Sequence, residues 1–149
     1  CSRMLFFSGK LDEAQDWISK IIYIDHPDSV DETMCFARML NLMIHHDLKN
    51  YELLAYEIKS TKRFLIKKKR FFKLEETILK FMTKLASTIN EREKTRLWKA
   101  FKEKLTFLME QKYEQRTRPF LNLIHWITSK IERKTVREVM IAARKKEED

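Results

Sequence analysis

The histidines are the first residues to consider for chemistry, because imidazole serves both as a metal ligand and as a general base. The chain has four of them: His26, His45, His46 and His125. No two are four residues apart, the spacing that places two side chains on one helical face, and no glutamate lies three residues before a histidine. The spacing therefore favours packing and loop positions over a metal site or a catalytic base.

Glycine-dependent catalytic motifs are excluded by composition. The chain has one glycine, Gly9, and two prolines. P-loops, dinucleotide-binding fingerprints and nucleophile elbows each need several glycines, because the backbone must turn sharply or approach phosphate. The carboxylates are interleaved with lysines at helical spacing, as on solvated helix faces. The sequence predicts a protein that is not an enzyme and that binds no cofactor or metal.

The strongest chemical signal is a basic stretch from Lys59 to Lys73, KSTKRFLIKKKRFFK, which contains no acid. Its eight cations are Lys59, Lys62, Arg63, Lys67, Lys68, Lys69, Arg70 and Lys73. With Phe64, Phe71 and Phe72 interleaved, such a stretch could neutralise phosphates and stack on bases, as nucleic-acid-binding patches do. The plainer interpretation, which we favour at this point, is that the phenylalanines are core and the lysines are their solvated backs.

Charge and composition limit the cellular setting. The formal net charge of +9 favours anionic partners without identifying one. No apolar run approaches the length of a membrane span and no signal peptide is visible, so we expect a cytoplasmic location. Cys1 and Cys35 lack the spacing of a redox or zinc motif, and we expect reduced, partly buried thiols.

The elements that must position these residues are predicted to be helices. Scarce Gly and Pro, together with abundant Lys, Glu, Leu, Ile and Met, indicate an all-α fold. Apolar spacing predicts helices over about 11–24, 29–46, 51–67, 71–89, 93–116, from 119 and from 135, after a helix ending near residue 8. The predicted apolar stripes include Trp17 in 11–24. They also comprise Leu74, Ile78, Met82, Leu85 and Ile89 in 71–89, and Leu97, Phe101, Leu105, Leu108 and Met109 in 93–116.

One segment resembles a known repeat unit. SGKLDEAQDWISKIIYIDHP is similar to the second helix of a tetratricopeptide repeat, clearest over residues 9–27 and weaker over 29–67. Gly9 matches the family's turn glycine, and Ala14 matches the small residue at a close helix approach. In the next unit Lys49 and Leu54 replace those two residues. Gly9 and Lys49 are close to one repeat period apart, which supports the register.

The resemblance implies a stack of antiparallel helix hairpins in a single domain, 1–149. Residues 1–67 would form tetratricopeptide-like units and 71–147 further hairpins. In such arrays the first helix of each unit lines a concave groove that holds a peptide. Carried onto the second unit, the groove residues are Phe36, Met39, Met43 and His46. Methionine side chains adapt to varied partners, which suits a peptide groove.

Two function classes follow. The leading prediction is a non-enzymatic helical-repeat scaffold that binds a protein or peptide partner, possibly acidic, through an apolar and basic groove. The alternative is a nucleic-acid-binding helical domain that uses residues 59–73. Because the chain begins at Cys1 in apolar sequence, we expect the C-terminal end of a longer protein, whose exposed N-terminal face would let a fragment dimerise.

Overall fold

The computed structural model describes residues 9–23, 31–110 and 121–148. This part of the chain contains seven helices and no strand, which confirms the all-α prediction. The helices are α1 (Leu11–Tyr23), α2 (Asp31–Asp47), α3 (Tyr51–Lys67), α4 (Lys73–Ser87), α5 (Glu91–Glu110), α6 (Leu121–Glu132) and α7 (Val136–Glu148).

The chain divides into two compact units, Cys1–Ala86 and Ser87–Asp149. In the first unit α2 packs against both α1 and α3. In the second unit α6 packs against both α5 and α7. Helices that are neighbours in sequence thus bury their apolar faces on one another, as expected for a stack of helical hairpins.

The core of the first unit is centred on α2. Every side chain from Met39 to His45 is buried, so the second half of this helix faces protein on all sides. By contrast α1 buries a single stripe, Ala14, Ile18 and Ile22, at the spacing of one helical face. Trp17 was expected to widen that stripe but is 53% exposed, which shows that the prediction of a buried Trp17 is wrong.

Helix boundaries follow local capping. The predicted bounds of α3 are confirmed, whereas α4 begins two residues later and ends two residues earlier than predicted. Ile89 therefore lies beyond the helix, 91% exposed, and not in the core. The Asn90 side-chain oxygen accepts hydrogen bonds from the backbone N–H groups of Arg92 at 2.9 Å and Glu93 at 3.2 Å. This cap starts α5 at Glu91.

The apolar stripe expected on α5 is confirmed at Phe101 and Leu105 and is wrong at Leu97. α5 buries Trp98, Phe101 and Leu105, while Leu97 is only half-buried. The Trp98 ring meets the ring of Trp126 in α6 edge to face, with centroids 5.0 Å apart and an interplanar angle of 82°. The predicted helix end before residue 9, the Pro27 stop, the end of 93–116 and the Pro119 start lie outside the described residues.

Three helices end on a left-handed residue that is not glycine. Lys49, Lys69 and Arg133 have φ angles of 60°, 57° and 54°. After each of them the next N–H reaches back five residues: Asn50 to the His45 carbonyl at 2.9 Å, Arg70 to that of Leu65 at 2.8 Å, and Lys134 to that of Ser129 at 3.0 Å. These bonds define Schellman ends, in which basic side chains also suit the negative pole of the helix.

Candidate anion-binding surface

The outer face of α3 carries a row of cations. Lys59, Arg63 and Lys67 follow one another at four-residue intervals, and all three are exposed. We call these three residues the basic row. The opposite face of the helix is buried through Leu54, Ile58, Thr61 and Leu65. Because the two sets lie on opposite sides of one helix, burial of the stripe directs the basic row toward solvent.

Most cations of the basic stretch make no ion pair. Within the described part of the chain, the basic row, Lys62 and Lys69 make no ion pair. Some lysines elsewhere are paired within their own helix, as Lys94 is with Glu91 at 3.3 Å, whereas others in the described residues, such as Lys99 and Lys104, make no ion pair. The charge of the outer face is therefore not neutralised by nearby side chains, and it creates a positive potential that attracts anions.

The C-terminal end of the basic stretch contributes less unpaired positive charge. Lys73 lies 3.8 Å from Glu76, and the same carboxylate pairs with Lys80 at 2.9 Å. The hydrogen bond and charge of Lys80 hold the pKa of Glu76 below its usual range. In the turn after α3, Lys68 is exposed and Arg70 is half-buried. The positive surface is therefore concentrated on α3 and its C-terminal turn.

The three interleaved phenylalanines have different environments. The Arg38 guanidinium lies over the Phe64 ring at 4.5 Å, and the Lys62 ammonium lies 5.7 Å from the Phe71 ring centroid. Both rings are half-buried, whereas Phe72 is 40% exposed. Contacts within the protein thus occupy Phe64 and Phe71, which makes them poor platforms for a base.

Sequence reasoning missed an aromatic residue on the outer face. Tyr56 is 58% exposed and precedes Lys59 by three residues, so it extends the basic row by one helical turn. The sequence did carry a signal for this exposure, because Tyr56 falls outside the apolar stripe of α3. Together Tyr56 and the basic row form a surface with one aromatic ring and three cations along a single helix.

The predicted peptide groove is not an open surface at its centre. Met39 is 6% exposed and Met43 is 5% exposed, because α2 is enclosed over this length. Phe36 and His46 are half-buried at the two ends. The His46 ring lies 3.1 Å from the Asp47 carboxylate and meets the Tyr51 ring edge on, with centroids 6.2 Å apart. A peptide would reach the methionines only by displacing core contacts.

A polar cluster around the buried Glu57 links the first three helices. The Tyr23 hydroxyl donates a 2.7 Å hydrogen bond to Glu57, which is 5% exposed, whereas Tyr23 itself is 68% exposed. This bond, followed by partial desolvation and the charge of Glu57, raises the pKa of Tyr23 to about 12. Arg38 donates to the Ser60 hydroxyl at 3.2 Å, and burial lowers its pKa from the ordinary value. The cluster holds helices together and presents no free catalytic group.

Two histidines are kept neutral by burial. His45 is 4% exposed, and burial lowers its pKa, although the nearby Glu57 carboxylate opposes the shift. Burial likewise lowers the pKa of His125, which is half-buried in α6. Over residues 9–23, 31–110 and 121–148, no three His, Cys, Asp or Glu side chains are grouped closely enough to hold a metal ion. His26 lies outside these ranges.

Comparisons with protein-family models, with curated proteins and with solved structures found no match to this chain. None of the described helices has the length and apolar character needed to cross a membrane. Cys35 is a half-buried cysteine, and Cys1 lies outside the described residues. Because these comparisons found no match, the function is inferred from the side chains of this chain alone.

Proposed function

We propose that the chain is a non-enzymatic helical interaction module that binds an anionic partner through the outer face of α3. The observation that carries the proposal is the basic row, three exposed cations on one face of α3 that make no ion pair within the described residues. This exposed charge supports a binding surface on α3, whereas the Met39 and Met43 lining is buried.

A tetratricopeptide-like arrangement of α1 to α3 is part of this proposal. Gly9 has a φ angle of 85° and Lys49 one of 60°, and each stands two residues before a helix begins. Ala14 and Leu54, five residues after these turns, are both 0% exposed. Equivalent backbone and burial at an interval of 40 residues, about six more than the 34 of a tetratricopeptide repeat, support a shared unit in which α2 and α3 form the second hairpin.

The proposed mechanism is passive. Helices packed on both sides of α2 fix the direction of α3, so the cations are presented without a folding step. Long-range attraction increases the rate of encounter with an anion, and short contacts to the basic row then retain it. An increase in ionic strength should weaken the complex, because the cations are exposed and screened by salt.

The test is retention on an immobilised sulfated polysaccharide as a general polyanion. The patch variant carries Lys59→Glu, Arg63→Glu and Lys67→Glu. The matched control carries Lys99→Glu, Lys104→Glu and Arg137→Glu, three exposed positions in the second unit. Each reversal removes two positive charges, so both variants change the formal net charge from +9 to +3.

The proposal predicts that the patch variant elutes at clearly lower salt than the control. Equal elution of the two variants would show that retention depends on net charge alone and would overturn the proposal. Circular dichroism of both variants checks that the helices remain folded, which is expected because all six side chains are exposed.

A further inference from the structure

We infer that the anionic partner is single-stranded nucleic acid, with Tyr56 as a stacking platform beside the basic row. This inference rests on the proposed function, since it names the partner of the same surface. Its basis is the order of groups along α3: one exposed aromatic ring, then three exposed cations at regular intervals.

The spacing of the groups suits a strand of phosphates. Lys59, Arg63 and Lys67 are each separated by four residues, or about 6 Å along the helix axis. A nucleic-acid strand presents one negative charge at each successive nucleotide. A row of regularly spaced cations can therefore neutralise consecutive phosphates, with the release of condensed counterions as the main source of affinity.

Tyr56 supplies an aromatic ring for base stacking, which a purely electrostatic surface lacks. Its side chain is 58% exposed and lies one helical turn before Lys59. An aromatic face beside a basic groove is the usual platform for an unpaired base, since every base has a π face. The bases of a duplex are already stacked on one another, so this arrangement favours a single strand over a double helix.

An acidic protein segment fits the surface less well. Peptide recognition generally combines charge with apolar anchors seated in a groove or pocket. The Met39 and Met43 side chains, which would have provided such anchors, are buried in the core. α3 also exposes Leu53 and Ile66, but these side chains are 13 residues apart, about 20 Å along the helix axis, and so form no continuous apolar patch. The outer face of α3 offers mainly cations and an aromatic ring, and these are sufficient for a strand of nucleotides.

The experiment measures binding of a fluorescent oligouridylate of about 12 nucleotides, within the site size of single-strand binders, by anisotropy across a salt series. A polyglutamate peptide of equal charge and a duplex of equal length are measured in parallel. Arg63→Gln should lower the magnitude of the salt slope by about 0.7, the value for one phosphate contact in a single strand.

Tyr56→Ala should weaken oligouridylate binding about fivefold or more while the salt slope stays unchanged, because it removes stacking and no charge. Tyr56→Phe should retain binding. Phe107→Ala, at an exposed aromatic position of α5 in the second unit, is the matched control and should have no effect. Agreement with all three results supports the inference.

Two other outcomes separate the inference from the proposed function. If polyglutamate binds as tightly as oligouridylate and Tyr56→Ala changes neither, the partner is an acidic protein segment. The inference then fails and the proposed function stands. If no probe binds in a way that depends on the basic row, both fail. Tighter binding of the duplex than of the single strand also overturns the inference.

Discussion

The hydroxyl of Tyr23, the last residue of α1, donates a 2.7 Å hydrogen bond to Glu57 in the middle of α3. In the chain, α1 precedes α2 and α3 follows it, and both helices pack against α2. Since the Glu57 carboxylate is buried, it depends on donors within the protein. This single bond therefore connects the two helices across the core helix of the first unit.

Tyr23→Phe should destabilise the first unit by at most about 1 kcal/mol at neutral pH: the Glu57 carboxylate loses a donor, but solvent around the 68% exposed Tyr23 screens the interaction. The pKa of Tyr23 is raised from 10.0 to about 12, so the folded state resists loss of the phenolic proton. The stabilisation is fully present below about pH 10 and is lost as the pH rises from 10 toward 12. Urea unfolding across this range measures it.

The difference in stability between the wild-type protein and Tyr23→Phe should therefore shrink as the pH rises. Tyr51→Phe, at a tyrosine whose hydroxyl makes no hydrogen bond to a buried carboxylate in the described region, serves as the comparison. A constant difference from neutral to alkaline pH would show that the Tyr23 hydroxyl does not stabilise the fold through Glu57.

His45 should make the first unit sensitive to acid. Burial lowers its pKa below the ordinary value of 6.5, so the unfolded chain binds a proton more readily than the folded chain. Stability should then fall as the pH decreases below about 6.5, with a slope of at most about 1.4 kcal/mol per pH unit for one proton. His45→Gln should flatten this dependence in urea titrations between about pH 7.5 and 5.5.

The second unit has its own acid-sensitive histidine. Burial also lowers the pKa of His125, so His125→Gln should flatten a separate part of the same profile. The double variant with His45→Gln should be flatter than either single variant, because the two groups lie in different compact units. Parallel profiles for the wild type and the double variant would contradict both assignments.

Local spacing predicted most helices because each depends on contacts within a few residues. The bounds of α3 followed from one apolar stripe, and the stripe of α4 was right for Leu74, Ile78, Met82 and Leu85. The spacing of apolar residues could not indicate which face of a helix packs against which neighbouring helix. The pair Tyr23 and Glu57 is separated by 34 residues, so no local pattern in the sequence connects them.

The candidate site shows the same limit. The basic stretch was visible in sequence, but whether its cations were paired depended on their distances to acids in the folded chain. The groove residues Met39 and Met43 have an apolar pattern equally suited to a lining and to a core. Tyr56 was not predicted as part of the site, because its position outside the apolar stripe of α3 was not combined with the positions of the cations on the same face.

Lys49→Gly should stabilise the protein by about 0.5–1 kcal/mol, because glycine adopts a left-handed conformation without steric cost. Lys49 has a φ angle of 60° at the end of α2 and lies outside the basic stretch. Lys49→Ala is the matched control: it removes the same charge but retains the strain, so it should give no gain. Thermal unfolding distinguishes the two variants.

The reverse substitution at the equivalent position, Gly9→Ala, should destabilise the protein. Gly9 has a φ angle of 85°, and a Cβ placed there would meet no atom within 4 Å. Gly9→Ala should thus cost about 1 kcal/mol through backbone strain alone. If Gly9→Ala were neutral in the same thermal unfolding assay, the left-handed turn before α1 would be relaxed in solution and the equivalence with Lys49 would be lost.

Trp98 and Trp126 should be energetically coupled in the second unit. Their rings meet edge to face at 5.0 Å, and both side chains are buried. Such pairs contribute about 0.5–1.5 kcal/mol beyond the area that they bury. A double-mutant cycle with Trp98→Leu and Trp126→Leu should therefore give a combined loss smaller than the sum of the single losses, because the pair interaction can be removed only once.

Urea unfolding followed by circular dichroism at the helix band measures the cycle, since a fluorescence signal would change with each tryptophan removed. Phe107→Leu is the comparison: Phe107 is on α5 but 57% exposed, so its effect should add independently to that of Trp126→Leu. Strict additivity for Trp98 and Trp126 would mean that α5 and α6 are held by buried area alone. Coupling specific to the tryptophan pair would show that ring geometry fixes how these two helices pack.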